Sequence, residues 1–137
     1  MYGKVITIIS GVALLLLGVA FHLDPQGMGG LVDLSLPTAN AKIEIGTFYG
    51  GFEIGAGIMC LLFLRSQRAL ADGLGYQAIL YLCSWVARLV GMVRFGDATT
   101  IIYFLLALEF VSFLLTYVGW KVESKRLANS SFFLVPP

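Results

Sequence analysis

The apolar residues of this chain fall into four long runs that are separated by short polar segments. The runs cover about residues 5–22, 45–64, 73–93 and 98–120. A helix needs about 20 mostly apolar residues to cross roughly 30 Å of hydrocarbon, and it satisfies its own backbone hydrogen bonds there. The pattern therefore predicts an all-α fold, an integral membrane four-helix bundle that forms a single domain over residues 1–137.

The connecting segments predict where the chain leaves the membrane. Segment 23–44 carries Pro25, Pro37 and several glycines, a composition typical of an irregular loop. Within it, we expect Leu31–Leu36 to rest on the membrane surface. The segment after the last run predicts a short tail, residues 121–137.

The basic residues predict the orientation of the bundle, because cytoplasmic loops carry an excess of Lys and Arg. One side would hold Lys4, Arg65, Arg68, Lys121, Lys125 and Arg126, whereas the other would hold Lys42 and Arg94. We therefore expect both termini in the cytoplasm and the 23–44 loop in the periplasm. A second interpretation makes Met1–Ala20 a cleavable signal peptide with Lys4 as its positive region.

Each apolar run carries one stripe of polar or small residues at helical spacing. These stripes are Thr7, Gly11, Gly18 and His22; Gly46, Gly50, Glu53 and Gly57; Gln77, Tyr81, Ser84, Arg88 and Gly91; and Glu109, Ser112 and Thr116. Gly51 and Gly55 form a second small-residue pair beside the glycine stripe. Small residues are typical of contacts between membrane helices, so the stripes predict a bundle with a polar interior.

Charged residues inside a membrane are costly and usually paired, which makes the depths of the three charged stripe residues informative. With a rise of about 1.5 Å per residue, Glu53 and Arg88 each lie about 9 Å below the outer ends of their helices. Equal depth predicts a Glu53–Arg88 ion pair. Glu109, counted from Asp97, lies about 18 Å deep, between Ser84 and Tyr81 in height. There we expect it to be protonated and hydrogen-bonded to a hydroxyl. Arg94 and Asp97 would pair at the outer rim.

Composition excludes several classes of protein. Hydrophobic residues make up 58% of the chain and charged residues 12%, so a soluble domain of this length could not bury the apolar surface. The net charge of +1 and the lack of a basic run argue against nucleic-acid binding. His22 is the one histidine, and Cys60 and Cys83 lack metal-site spacing, so we expect no metal or other cofactor. No nucleophile–base or phosphate-loop motif occurs, which favours a non-enzymatic protein.

One order of residues resembles a known family. It consists of Phe48-Tyr49-Gly50-Gly51-Phe52-Glu53, then Ala87-Arg88-Leu89 with Gly91, Gly96 and Asp97, then Leu108-Glu109-Phe110. Over about residues 45–115 this order resembles a family of small four-helix bacterial inner-membrane proteins whose function is unknown. The resemblance implies a multi-pass protein of the inner membrane whose polar set is Tyr49, Glu53, Arg88, Asp97 and Glu109, and it implies no activity.

Two functional hypotheses remain. The apolar tail Phe132–Pro137 and the outer face of the fourth run, with Phe104, Phe110 and Phe113, favour an accessory or interaction subunit of a larger membrane complex, because exposed apolar segments tend to be covered. The alternative is a small carrier or binder of a lipid or hydrophobic solute that uses the polar cluster of Glu53, Arg88, Glu109, Tyr81, Ser84 and Tyr49. Both hypotheses place the protein among lipids, and only the first needs protein partners.

Overall fold

A computed structural model describes residues 1–96 and 98–132, and almost all of them are helical. The elements are α1 (Tyr2–Leu23), α2 (Pro25–Gly30), α3 (Ala39–Ile45), a π-helical segment (Gly46–Gly51), α4 (Phe52–Leu62), a 3-10 turn (Phe63–Arg65), α5 (Gln67–Phe95) and α6 (Thr100–Phe132). Four helices are long and apolar enough to cross a membrane: Tyr2–Leu23, Ala39–Arg65, Gln67–Phe95 and Thr100–Ser130. The predicted all-α fold with four membrane-spanning helices is confirmed.

The helices extend beyond the apolar runs because polar side chains, rather than hydropathy, determine where they begin. The hydroxyl of Thr38 accepts a hydrogen bond from the Ala41 amide, so the second span begins at residue 39 rather than 45. The hydroxyl of Ser66 accepts from the Ala69 amide and starts α5. Such caps satisfy amides that have no partner within the helix. At the other end of the chain, α6 continues to Phe132 through the first part of the predicted tail.

The long connection between the first two spans is more ordered than its composition suggests. Asp24 caps the short helix α2 by accepting a hydrogen bond from the Gly27 amide at 2.9 Å. Leu36 is only 3% exposed and lies against Gly29. Within the segment Leu31–Leu36, for which we expect contact with the membrane surface, Leu36 therefore packs inside the loop.

Glycines hold α1 and the second span together at backbone distance. A Cβ atom added to Gly18 would lie 2.7 Å from the carbonyl oxygen of Gly50, and one added to Gly57 would lie 2.8 Å from that of Gly11. The predicted packing role of this glycine stripe is thus confirmed. Gly51 and Gly55 differ, since a Cβ on either would meet no atom within 4 Å.

The four spans form two pairs that meet mainly at one end. The first pair is α1 with the 39–65 span, and the second pair is α5 with α6. The fully buried residues of α5 all lie between Leu70 and Ala78, and α5 touches α4 at few positions. We call the end with the Ser66 turn the closed end and the end with Gly96 the open end, because packing between the pairs loosens in that direction.

Candidate intramembrane polar site

Arg88 and Glu109 form a two-pronged ion pair between α5 and α6. The Nε atom of Arg88 donates to Oε2 of Glu109 at 2.9 Å, and its Nη2 atom donates to Oε1 at 2.7 Å. The hydroxyl of Ser84, which lies one helical turn before Arg88, donates a hydrogen bond to the same Oε1 at 2.6 Å. Hydrogen bonds of this charge-assisted, bidentate kind are among the strongest in proteins. The two charged side chains are nevertheless 25% and 13% exposed.

This geometry shows that the predicted Glu53–Arg88 pair is wrong. The depth of Glu109 was counted from Asp97, but α6 begins only at Thr100, so the residues before it add no helical rise. Measured from the helix ends at Phe95 and Thr100, Arg88 and Glu109 lie about 10 and 14 Å deep. A guanidinium reaches across that difference easily. The ion pair with Arg88 contradicts the expectation that Glu109 is protonated, whereas the expected hydrogen bond to a hydroxyl is present, from Ser84.

Glu53 does not pair with Arg88, and among the described residues it has no other ion-pair partner. Its side chain is partly exposed, yet the Oε2 atom is enclosed and has no hydrogen-bond partner among the described residues. Tyr81 of α5 lies within electrostatic reach of Glu53 and beside Ser10 of α1. An acceptor without a donor in an apolar setting is costly, so Glu53 is the incomplete member of the site.

Tyr49 lies in the same region, on a segment of the second span whose backbone is π-helical. It lies in the π-helical segment Gly46–Gly51, in which the Thr47 hydroxyl donates to the Ile43 carbonyl oxygen at 2.8 Å. Its ring stacks on Phe21 of α1 at 5.2 Å, and its hydroxyl lies within electrostatic reach of Arg88. π-Helical turns are frequent at functional sites.

The predicted polar residues therefore divide into two groups on the two helix pairs. Ser84 and Arg88 both hydrogen-bond to Glu109 on the second pair, and Tyr81 lies one turn before Ser84 on α5. Tyr49 and Glu53 lie on the first pair, near these residues but without hydrogen bonds to them among the described contacts. We call the six residues Tyr49, Glu53, Tyr81, Ser84, Arg88 and Glu109 the intramembrane cluster.

At the open end, Arg94 holds its guanidinium over the ring of Phe95, with 5.2 Å between the guanidinium carbon and the ring centroid. Asp97, its predicted partner, lies outside the described residues. Among the side chains that the structure describes, no three His, Cys, Asp or Glu residues are grouped closely enough to hold a metal ion.

Sequence reasoning missed two polar contacts near the closed end. Gln77 is 1% exposed and donates its amide to the Gly73 carbonyl oxygen at 3.2 Å and to the Thr7 hydroxyl at 3.5 Å, while its own Oε1 has no partner among the described residues. Glu123, in the predicted tail, is 2% exposed and pairs with Arg126 at 3.1 Å. The spacing of three residues between Glu123 and Arg126 was the signal that could have revealed this pair.

A comparison with known families places this arrangement in a wider group. The family model described as Domain of unknown function (DUF4345) matches residues 3–120. The chain belongs to this family. The predicted resemblance to a family of unknown function is therefore confirmed, and the DUF4345 match also includes α1 and the long loop, which lie outside the 45–115 range of that prediction.

The DUF4345 match contains the whole intramembrane cluster, whereas Glu123 and Arg126 lie beyond its end. No curated protein and no solved structure matches this DUF4345 chain. Any function must therefore be argued from the residues themselves.

Proposed function

We propose that this protein binds an amphiphilic molecule, a lipid or a hydrophobic solute, between its two helix pairs within the bilayer. One observation carries the proposal: the enclosed Oε2 atom of Glu53 has no hydrogen-bond partner among the described residues, and it lies on the first pair, near the polar groups of the second. Ionisable residues within a membrane are costly and usually mark a site of function.

The chemistry of the cluster indicates what the polar end of the ligand carries. Glu109 already accepts three hydrogen bonds, from Ser84 and Arg88. Glu53 is the remaining strong acceptor, so the ligand supplies a donor, such as a hydroxyl or amino group. The apolar body of the ligand would lie between the helices toward the open end, where α5 has no fully buried residue after Ala78.

The test measures bound small molecules before and after removal of that acceptor. The protein is purified in mild detergent, and the co-purifying lipids and solutes are extracted and quantified per mole of protein by mass spectrometry. We expect Glu53→Leu to retain about tenfold less of one amphiphile, since the ligand's donor would lose its acceptor, an unsatisfied buried polar group costs about 1–3 kcal/mol, and 1.4 kcal/mol corresponds to tenfold.

Glu44→Leu is the matched control, because Glu44 is exposed and lies on the same span, nine residues before Glu53. Equal retention by the wild type, Glu53→Leu and Glu44→Leu would exclude the cluster as a binding site. Transport would require a further observation, namely probe flux into proteoliposomes that is lost with Glu109→Gln.

An accessory-subunit role is the second candidate, and a row of aromatic rings supports it. Neighbouring rings lie 5.1 to 6.4 Å apart in the order Trp85, Phe110, Phe113, Tyr117 and Trp120. Phe110, Tyr117 and Trp120 are each more than a third exposed, and aromatic residues are enriched in protein interfaces. The predicted contact residue Phe104 is 59% exposed; the tail beyond Phe132 lies outside the described residues.

Native mass spectrometry of the mild-detergent extract distinguishes the two roles. Co-migration with other membrane polypeptides that is lost on Phe110→Ala would favour the subunit role. A monomer that carries one amphiphile, and loses it on Glu53→Leu, would favour the binder.

A further inference from the structure

The closed end of the bundle holds a second concentration of charge, far from the intramembrane cluster. A cavity of about 210 Å³ opens there between the start of α1, the turn before α5 and the late part of α6. Three cationic side chains line it, from Lys4, Arg65 and Arg126, together with one acid, Glu123. The side chains that line the cavity therefore carry a net positive charge, because Lys4 and Arg65 remain after the charge of Glu123 is balanced by that of Arg126.

The carboxylate of Glu123 is enclosed and paired with Arg126, so its negative charge is not free to repel an anion in this cavity. Its side chain is 3% exposed and accepts a hydrogen bond from Arg126 at 3.1 Å, while the Arg126 side chain remains 51% exposed. The start of α1 packs against it, since a Cβ on Gly3 would lie 3.0 Å from the Cγ atom of Glu123. Glu123 thus holds Arg126 at the cavity wall.

The backbone adds positive potential on the same side. Ser66 and Gln67 line the cavity, and α5 starts at Gln67. The first amides of a helix have no acceptor within it, and the helix dipole favours an anion there. In α5 the Ser66 hydroxyl accepts from the Ala69 amide, and the amides that precede Ala69 in this helix have no acceptor among the described residues.

The surroundings indicate that the cavity lies at the level of lipid headgroups. Its lining residues come from the ends of the four spans, and they include the apolar side chains of Leu64 and Leu70. On the adjoining part of α6, the Nζ atom of Lys121 lies over the rings of Trp120 and Tyr117 at 5.2 and 5.4 Å. Trp and Tyr are enriched at the membrane–water interface, and basic pockets between helices bind anionic headgroups.

We propose that this cavity binds a phosphate-bearing anion, and that its source is the headgroup of an anionic phospholipid in the adjacent leaflet. The volume is below the 300–1,000 Å³ typical of drug-sized ligands, which suits a small headgroup whose acyl chains stay in the bilayer. Lys4 and Arg65 would contact the phosphate directly, and Arg126 would close the site from α6.

The experiment compares lipid retention by the whole chain in nanodiscs of phosphatidylcholine that contain one-fifth phosphatidylglycerol. Native mass spectrometry after release measures how many phosphatidylglycerol molecules stay bound relative to phosphatidylcholine. We expect a preference for phosphatidylglycerol that falls about thirtyfold in Lys4→Gln/Arg65→Gln, since each basic residue near the surface strengthens attraction to anionic lipid.

The control is Lys42→Gln/Arg94→Gln, which removes the same charge at the open end. Arg126 is left intact because its loss would strand the buried Glu123. A second arm adds inorganic phosphate to protein in phosphatidylcholine alone and follows the thermal unfolding midpoint. Stabilisation by phosphate without lipid preference would assign the site to a soluble anion and overturn the lipid source. Equal behaviour of the two double variants in both arms would overturn the site itself.

Discussion

Polar side chains are buried to different degrees at the two ends of the bundle. Near the closed end, Gln77, Thr7 and Glu123 are almost inaccessible and are surrounded by tightly packed helices. Toward the open end, Arg88 and Glu109 remain partly exposed although they form the strongest ion pair that the structure describes. Polar groups that only support a fold are normally both buried and satisfied. Because an unpartnered oxygen occurs at both ends, on Glu53 and on Gln77, it is the partial exposure of the cluster that distinguishes a candidate site from a structural contact.

The largest effect should come from breaking the ion pair of the open end. Arg88→Leu leaves Glu109 without its cation, so we expect a loss of about 3 kcal/mol in the free energy of unfolding. Arg88→Leu/Glu109→Leu should recover most of it, because no stranded charge remains. Unfolding in mixed micelles with increasing denaturing detergent, followed by circular dichroism, measures these differences. Recovery in Arg88→Leu/Glu53→Leu instead would mean that Arg88 pairs with Glu53.

An intermediate effect is expected from the glycine contact that joins α1 to the second span. Gly18→Ala would put a Cβ 2.7 Å from the backbone of Gly50 and of Ile54, and overpacking of this kind costs about 1–3 kcal/mol. The same unfolding assay measures it. Gly55→Ala is the control, since its Cβ would meet no atom and alanine favours a helix by up to about 1 kcal/mol. Equal losses in the two variants would mean that Gly18 does not form a close contact.

These two pairs of helices also show what the sequence could and could not predict. The number of spans follows from the length and apolarity of the runs, a constraint that the bilayer imposes on any chain. The partner of Arg88 did not follow, because depth depends on where α6 begins, and α6 begins at Thr100, three residues after Asp97. Likewise, both Gly50 and Gly51 lie in small-residue patterns, and only the packing of α1 decides which of the two becomes a contact.

The smallest effect concerns two oxygen atoms that have no partner among the described residues, one at each end. After lipid is removed, Glu53→Leu should raise the free energy of unfolding by about 1 kcal/mol, because it removes an unsatisfied acceptor and, with it, a costly ionisable group. Gln77→Leu should lower it by about 1 kcal/mol, because Gln77 still makes two hydrogen bonds through its amide nitrogen. Changes of opposite sign in the free energy of unfolding would mean that Gln77 stabilises the fold, whereas Glu53 destabilises it and serves binding. A loss of stability in Glu53→Leu that equals the loss in Gln77→Leu would contradict this, and Glu53 would then be another structural residue.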